Sequence, residues 1–206
     1  MLNSHRYLRA TIATVAMALA AASIVTAQKA DAAKGSVKAK LTQTPGRFRV
    51  SAPDLELKGR ITLAHVFNGM GCTGQNISPT LNWTNAPAGT KSFAVTAYDP
   101  DAPTGSGWWH WVMYNIPASA TGLGAGAGNG RNAPSGSVQG TTDFGTKGYG
   151  GPCPPVGDRP HHYHFTVFAL KVDKIDVPGN ATAAMVGFNL NANKLATARV
   201  TALYAR

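Results

Sequence analysis

Apolar and polar positions alternate with a period of two over much of the chain. Residues 60–67 set Ile61, Leu63, His65 and Phe67 against Arg60, Thr62, Ala64 and Val66. Residues 92–98 set Phe93, Val95 and Ala97 against Ala94, Thr96 and Tyr98, apolar enough on both sides for a central strand. Residues 109–116 and 163–172 are rich in aromatic and β-branched side chains, and 198–204 close the chain as a further strand. Turn formers such as Pro87-Ala88-Gly89 separate these segments. Only residues 181–190 read as a helix, with Asn180 as its cap and Ala184, Met185 and Phe188 on a shared face. No helix-length amphipathic segments space the strands, which argues against a parallel βαβ sheet. The predicted fold is mainly β, an antiparallel β-sandwich with one short helix near the C-terminus.

The first residues have a different pattern. His5, Arg6 and Arg9 precede an uncharged apolar run over 10–25, and Val25-Thr26-Ala27 presents small residues where a signal peptidase cuts. A run of 16 residues is short against the ~20 needed to span a bilayer. The expectation is a signal peptide over 1–27, cleaved after Ala27 or alternatively after Ala32, and a secreted or periplasmic product. Residues 28–45 read as a basic flexible tail, in a region carrying Lys29, Lys34, Lys38 and Lys40 among Ala, Gly, Thr and Gln. Residues 46–206 are long enough for one domain with an ample core. The whole chain carries a formal charge of +10, and the leader removes two arginines and no acidic residue. Export, and the absence of aromatics among these charges, argue against nucleic acid as the partner.

Two cysteines, Cys72 and Cys153, lie in glycine-rich loops. In an exported chain an even count predicts a disulfide between them. Eleven glycines fall between Gly122 and Gly151. The first part of that stretch, 122–140, reads as a mobile flap, and the last part, 149–155, is stiffened by three prolines.

Candidate chemistry concentrates in three segments: Asp99-Pro100-Asp101-Ala102-Pro103, Trp108-Trp109-His110, and Gly150-Gly151-Pro152-Cys153-Pro154-Pro155 leading to Pro160-His161-His162-Tyr163. Carboxylates, imidazoles and a phenol beside prolines describe a small rigid polar pocket. On a strand, His161 and Tyr163 share one face, while His162 and His164 share the other. Zinc on His162, His164 and an Asp lacks a third ligand at recognisable spacing. Asp99 and Asp101, two apart on extended chain, should point alike, and a hairpin through Thr104-Gly105-Ser106-Gly107 should bring His110 near them. A carboxylate there should raise the imidazole pKa and make it a better anion donor. Trp109 and Trp111 should face away from His110, and Trp108 could wall the pocket. Gly69-Met70-Gly71-Cys72-Thr73-Gly74 fits a dinucleotide fingerprint, yet no helix can open at Gln75-Asn76-Ile77-Ser78-Pro79.

Taken together, these segments resemble the phosphatidylethanolamine-binding protein family, especially its bacterial Raf-kinase-inhibitor-like branch, from about Leu63 to Arg206. The resemblance implies the same β-sandwich for 46–206 and assigns the ligand pocket to Asp99, Asp101, Pro103, His110, Pro154, Pro155, His161 and Tyr163. His162 stands where the family's motif usually has Arg. The function it implies is that of a secreted, non-enzymatic binding protein for phosphorylated small molecules or phospholipid head groups, with no cofactor and no metal. Regulation or inhibition of a protein partner such as an envelope protease, with 122–140 as bait, is the alternative. A weak hydrolase using the Asp and His groups is another, and a homodimer is compatible with each.

Overall fold

The computed structural model describes residues 46–55 and 60–206. The expected signal peptide and basic tail lie outside the described residues. Ten strands and one α-helix run in order among the described residues: β1 (Arg49–Ser51), β2 (Asn68–Gly69), β3 (Cys72–Thr73), β4 (Leu81–Thr84), β5 (Ser92–Asp99), β6 (Trp108–Pro117), β7 (Gly122–Leu123), β8 (Val138–Gln139), β9 (His161–Leu170), α1 (Ala183–Asn193) and β10 (Lys194–Tyr204), with a short 3-10 turn at Ala127–Asn129. A five-stranded sheet runs β10-β9-β5-β6-β8 and a three-stranded sheet runs β1-β4-β7, with all paired strands antiparallel. This is the expected sandwich, with α1 covering the outer face of the larger sheet.

Strand β5 holds the centre. Phe93, Val95 and Ala97 enter the core between the sheets, whereas Ala94 joins Val112, Tyr114, Phe168, Val186 and Leu190 beneath the helix. Its two-sided apolar pattern is therefore used on both faces. Helix α1 starts two residues later than predicted, because the Thr182 hydroxyl, not Asn180, accepts the Met185 N–H at 3.2 Å. Its buried face is Ala183, Val186, Gly187 and Leu190, the i, i+3, i+4, i+7 set, and the expected face of Ala184, Met185 and Phe188 points outward. Phe188 is 74% exposed.

Two other expectations are corrected. Residues 60–67 do not form a strand: only Arg60 bridges to Leu203, and the Leu63, Ala64, Val66 and Phe67 carbonyls accept N–H groups from the crossing loop 74–77. His65 and Val66 are both buried, a placement that alternation cannot give. The segment 122–140 is anchored, not a free flap. Ala127 is fully buried, Gly128 N–H donates to Ser78 Oγ at 2.8 Å, and Gln139 Nε2 donates to the Ala127 carbonyl at 2.9 Å. A methyl group on Gly128 would stand 2.7 Å from Tyr149 and 2.9 Å from Trp111, so glycine here serves close packing.

Cys72 and Cys153 are joined by a disulfide, with Cα atoms 6.0 Å apart across 81 residues of sequence. It ties the β2–β3 hairpin to the proline-rich loop 150–155. A constraint of that length removes on the order of 4 kcal/mol of loop entropy from the unfolded chain.

Candidate functional site

Three adjacent strands end together at one edge of the sandwich. Asp99 closes β5, His110 lies near the start of β6, and His161 and Tyr163 open β9. With the loop 102–104 and the rim 153–155 they enclose a cavity of about 340 Å³, within the usual range for small-ligand sites. Of the expected pocket residues, Asp99, Pro103, His110, Pro154, Pro155, His161 and Tyr163 line it. Asp101 does not. Its N–H donates to Asp99 Oδ1 at 2.8 Å, and this local turn swings its own carboxylate outward. There it accepts from the His162 N–H and Nδ1, both at 2.8 Å, and from Arg159 at 3.2 Å. Desolvation opposes ionisation of Asp101, but the His162 donors and the Arg159 charge outweigh it and hold its carboxyl below the usual range.

A bulge decides where His110 points. Ala97 pairs with Trp111 and Tyr98 with Trp109, so His110 is the extra, unpaired residue of β6. The alternation slips there. His110 and Trp111 turn toward the inter-sheet layer, where Trp111 packs edge-on against Tyr149, and Trp109 turns to the helix side. The expectation that Trp109 and Trp111 both face away from His110 therefore fails for Trp111. Trp108 lines the cavity beside Phe144, whose ring also meets His110 edge-on at 5.4 Å.

The two pocket histidines are held differently. His110 Nδ1 lies 2.8 Å from the Gly150 carbonyl, which requires the proton on Nδ1 and leaves Nε2 for a ligand. Burial lowers the His110 pKa, outweighing the upward pull of the Gly150 carbonyl and the Asp99 charge. The raised value expected beside Asp99 is overturned because full burial of the ring outweighs that charge. Asp99 Oδ2 itself accepts from His161. His161 Nδ1 stands 2.8 Å from that oxygen, each side chain only 3% exposed. Asp158 Oδ2 then approaches His161 Nε2 at 3.3 Å. Burial first, and then the Asp99 charge, pushes the Tyr163 phenol up, so it is a hydrogen-bond donor and not a base.

His162 and His164 point to the other face, as expected from their spacing, and His164 Nδ1 meets Thr201 Oγ1 at 2.9 Å. Among the described residues no three His, Cys, Asp or Glu side chains converge as metal ligands.

Four contributors escaped the sequence reading: Arg206, Phe144, Asp158 and Asn76. Arg206 lines the cavity and donates from Nε to the Pro154 carbonyl at 2.6 Å. The signal for it was indirect, since Tyr204 pairs with His161 and so sets the next residues beside the pocket. Asn76 accepts the Gly151 N–H at 2.7 Å and donates to the Tyr149 carbonyl at 3.2 Å, fixing the rim from behind. Gly151 approaches the His65 carbonyl too closely for any side chain.

The family model described as phosphatidylethanolamine-binding protein matches residues 51–205. The chain is 56% identical over 159 residues to YbcL of Escherichia coli, covering 76% of this chain and 87% of that one. It is 54% identical over 159 residues to YbhB of the same organism, covering 77% of this chain and all of that one. The crystal structure of E. coli YbcL, described as a new member of the mammalian family, superposes with a TM-score of 0.75 at 55% identity over 77% of this chain and 98% of that one. A homologue from Chlamydia trachomatis gives 0.64 at 28% identity, covering 77% and 97%.

Proposed function

The chain belongs to the phosphatidylethanolamine-binding protein family, and from that premise we propose that it is an exported, non-enzymatic protein whose pocket binds phosphate-bearing ligands of the phosphoethanolamine type. The family binds anions or phospholipid head groups. The observation that carries the finer reading is the meeting of His110, the His161–Asp99 pair and the Arg206 guanidinium on one cavity. Imidazole, guanidinium and phenol donors suit phosphate oxygens. The Asp99 carboxylate within the same site suits a ligand that carries a cation beside its phosphate. Apolar walls from Phe144, Trp108 and the prolines leave room for a short carbon linker.

Catalysis fits less well. Both cysteines are consumed by the disulfide, and the Tyr163 phenol is held protonated. The inhibitor reading loses support with the anchoring of 122–140, because a docked loop of this kind is not displayed as bait. Export rests on the leader pattern in the sequence.

Calorimetric titration with phosphoethanolamine, inorganic phosphate and vesicles containing phosphatidylethanolamine tests the reading. Binding of the soluble head group that His110→Asn or Arg206→Ala weakens about tenfold or more supports it. Binding only to vesicles would move the ligand to the intact lipid. No binding of any of them between pH 6 and 7.5, or turnover of a phosphoester by the wild type, would overturn it.

A further inference from the structure

Both ring nitrogens of His161 are engaged before any ligand arrives. Nδ1 faces Asp99 at 2.8 Å and Nε2 faces Asp158 at 3.3 Å, so each nitrogen has a carboxylate oxygen within reach. The two carboxylates differ in their freedom to leave. Asp99 is 3% exposed and also accepts the Asp101 N–H, so its departure would strand a buried charge. Asp158 is 40% exposed and belongs to a run, 155–160, in which every residue is exposed. Gly157 beside it adopts φ 88°, and a backbone bond from the Asp158 N–H to the Pro155 carbonyl spans 3.3 Å. Its contact with His161 is longer than the ~2.7–2.9 Å typical of charge-assisted bonds. A released Asp158 carboxylate is rehydrated at once.

We propose that the Asp158 carboxylate is a tethered stand-in for the ligand's anionic group, holding the outer nitrogen of His161 until a phosphate displaces it. The proposal rests on the reading of the pocket as a phosphate-type site and adds the residue that sets its threshold. His161 lines the cavity with its ring only 3% exposed, so a ligand oxygen that reaches Nε2 competes with Asp158 for that nitrogen. A phosphate oxygen offers the same acceptor chemistry, so exchange trades one charge-assisted bond for another. The observed affinity is then the intrinsic affinity multiplied by the fraction of time Asp158 is away. An anion that binds no better than a tethered carboxylate does not get in, which screens out weak monovalent anions.

The test compares wild type with Asp158→Asn, which keeps size and removes charge. Titrations use phosphoethanolamine, a monoester, and glycerophosphoethanolamine, a diester with the head group of a lipid, at about 50 and 500 mM salt. Displacement predicts that the variant binds both ligands about tenfold tighter, by a similar factor for each and at both salt concentrations, since the vacancy factor is common to all ligands. It also predicts that phosphoethanolamine shifts the wild-type amide resonances of Gly157, Asp158 and Arg159. A gain confined to the doubly charged monoester and lost in high salt would show a long-range field instead, and would overturn the proposal. An unchanged affinity would do the same. Weaker binding would overturn it too, and would mean that Asp158 holds the ligand's ammonium group. Failure of both proteins to bind either ligand would overturn the pocket reading itself, and the proposal with it.

Discussion

At His110, burial of a charged imidazole costs more than the Gly150 carbonyl and the Asp99 charge return, so the folded ring resists protonation. The unfolded chain takes up this proton near the ordinary value of 6.5, and the folded chain does so only at lower pH. Between those two values the unfolded state holds more protons, so His110 subtracts stability as pH falls, by at most about 1.4 kcal/mol per pH unit. His110→Asn keeps a donor for the Gly150 carbonyl and does not titrate. Its melting temperature should therefore fall less than that of wild type between pH 7 and pH 5. Parallel curves for the two proteins would place the His110 pKa at its ordinary value. Asp101 shows a limit of single-residue reasoning. Its identity and spacing were legible, but its direction was set by a bond from its own N–H to Asp99, which no two-residue periodicity encodes.

Among the elements, α1 provides the sharpest contrast between pattern and packing. The residues that looked like its apolar face, Met185 and Phe188, are exposed, and Leu190 is fully buried against Val112 and Phe168 in the layer beneath the helix. Leu190→Ala should cost about 2–5 kcal/mol, whereas Phe188→Ala should lie within about 0.5 kcal/mol of wild type. Urea unfolding of the two variants checks this, and equal losses would mean that Phe188 is covered in solution. Strands β5, β6 and β9 were legible because the central sheet buries both faces, so aromatic, β-branched and small apolar residues run along most of each strand. Residues 60–67 misled because an alternating sequence can also serve a segment whose carbonyls are taken by a crossing loop. The bulge at His110 was hidden for a related reason. An extra residue is a property of the pair, Ala97–Trp111 and Tyr98–Trp109, and is invisible in either strand alone.

For the molecule as a whole, the disulfide joins the two loops that carry Met70 and Pro154 to the rim of the cavity. The Cys72→Ser, Cys153→Ser double variant should lose on the order of 4 kcal/mol, which lowers the melting temperature by about 8–16 °C in a domain of this size. It should also bind phosphoethanolamine more weakly than wild type. Calorimetry in a non-reducing buffer measures both, and unchanged melting would show that the native loops need no tether. The pairing was legible from cysteine count and the leader-like pattern of the first residues, whereas the contributions of Arg206 and Asp158 depended on which strands lie side by side. The neutral state of His110 has a further consequence for the whole molecule's exchange with its solvent. If a phosphate oxygen is to receive a donor from Nε2, the ring must acquire a second proton, and near neutral pH that proton comes from the buffer. Binding heat should then depend on the buffer's enthalpy of ionisation, with a slope approaching about one proton per ligand. Titrations in phosphate-free buffers of widely different ionisation enthalpy would read that slope directly, and a slope of zero would mean that the ligand is held without His110 as a donor.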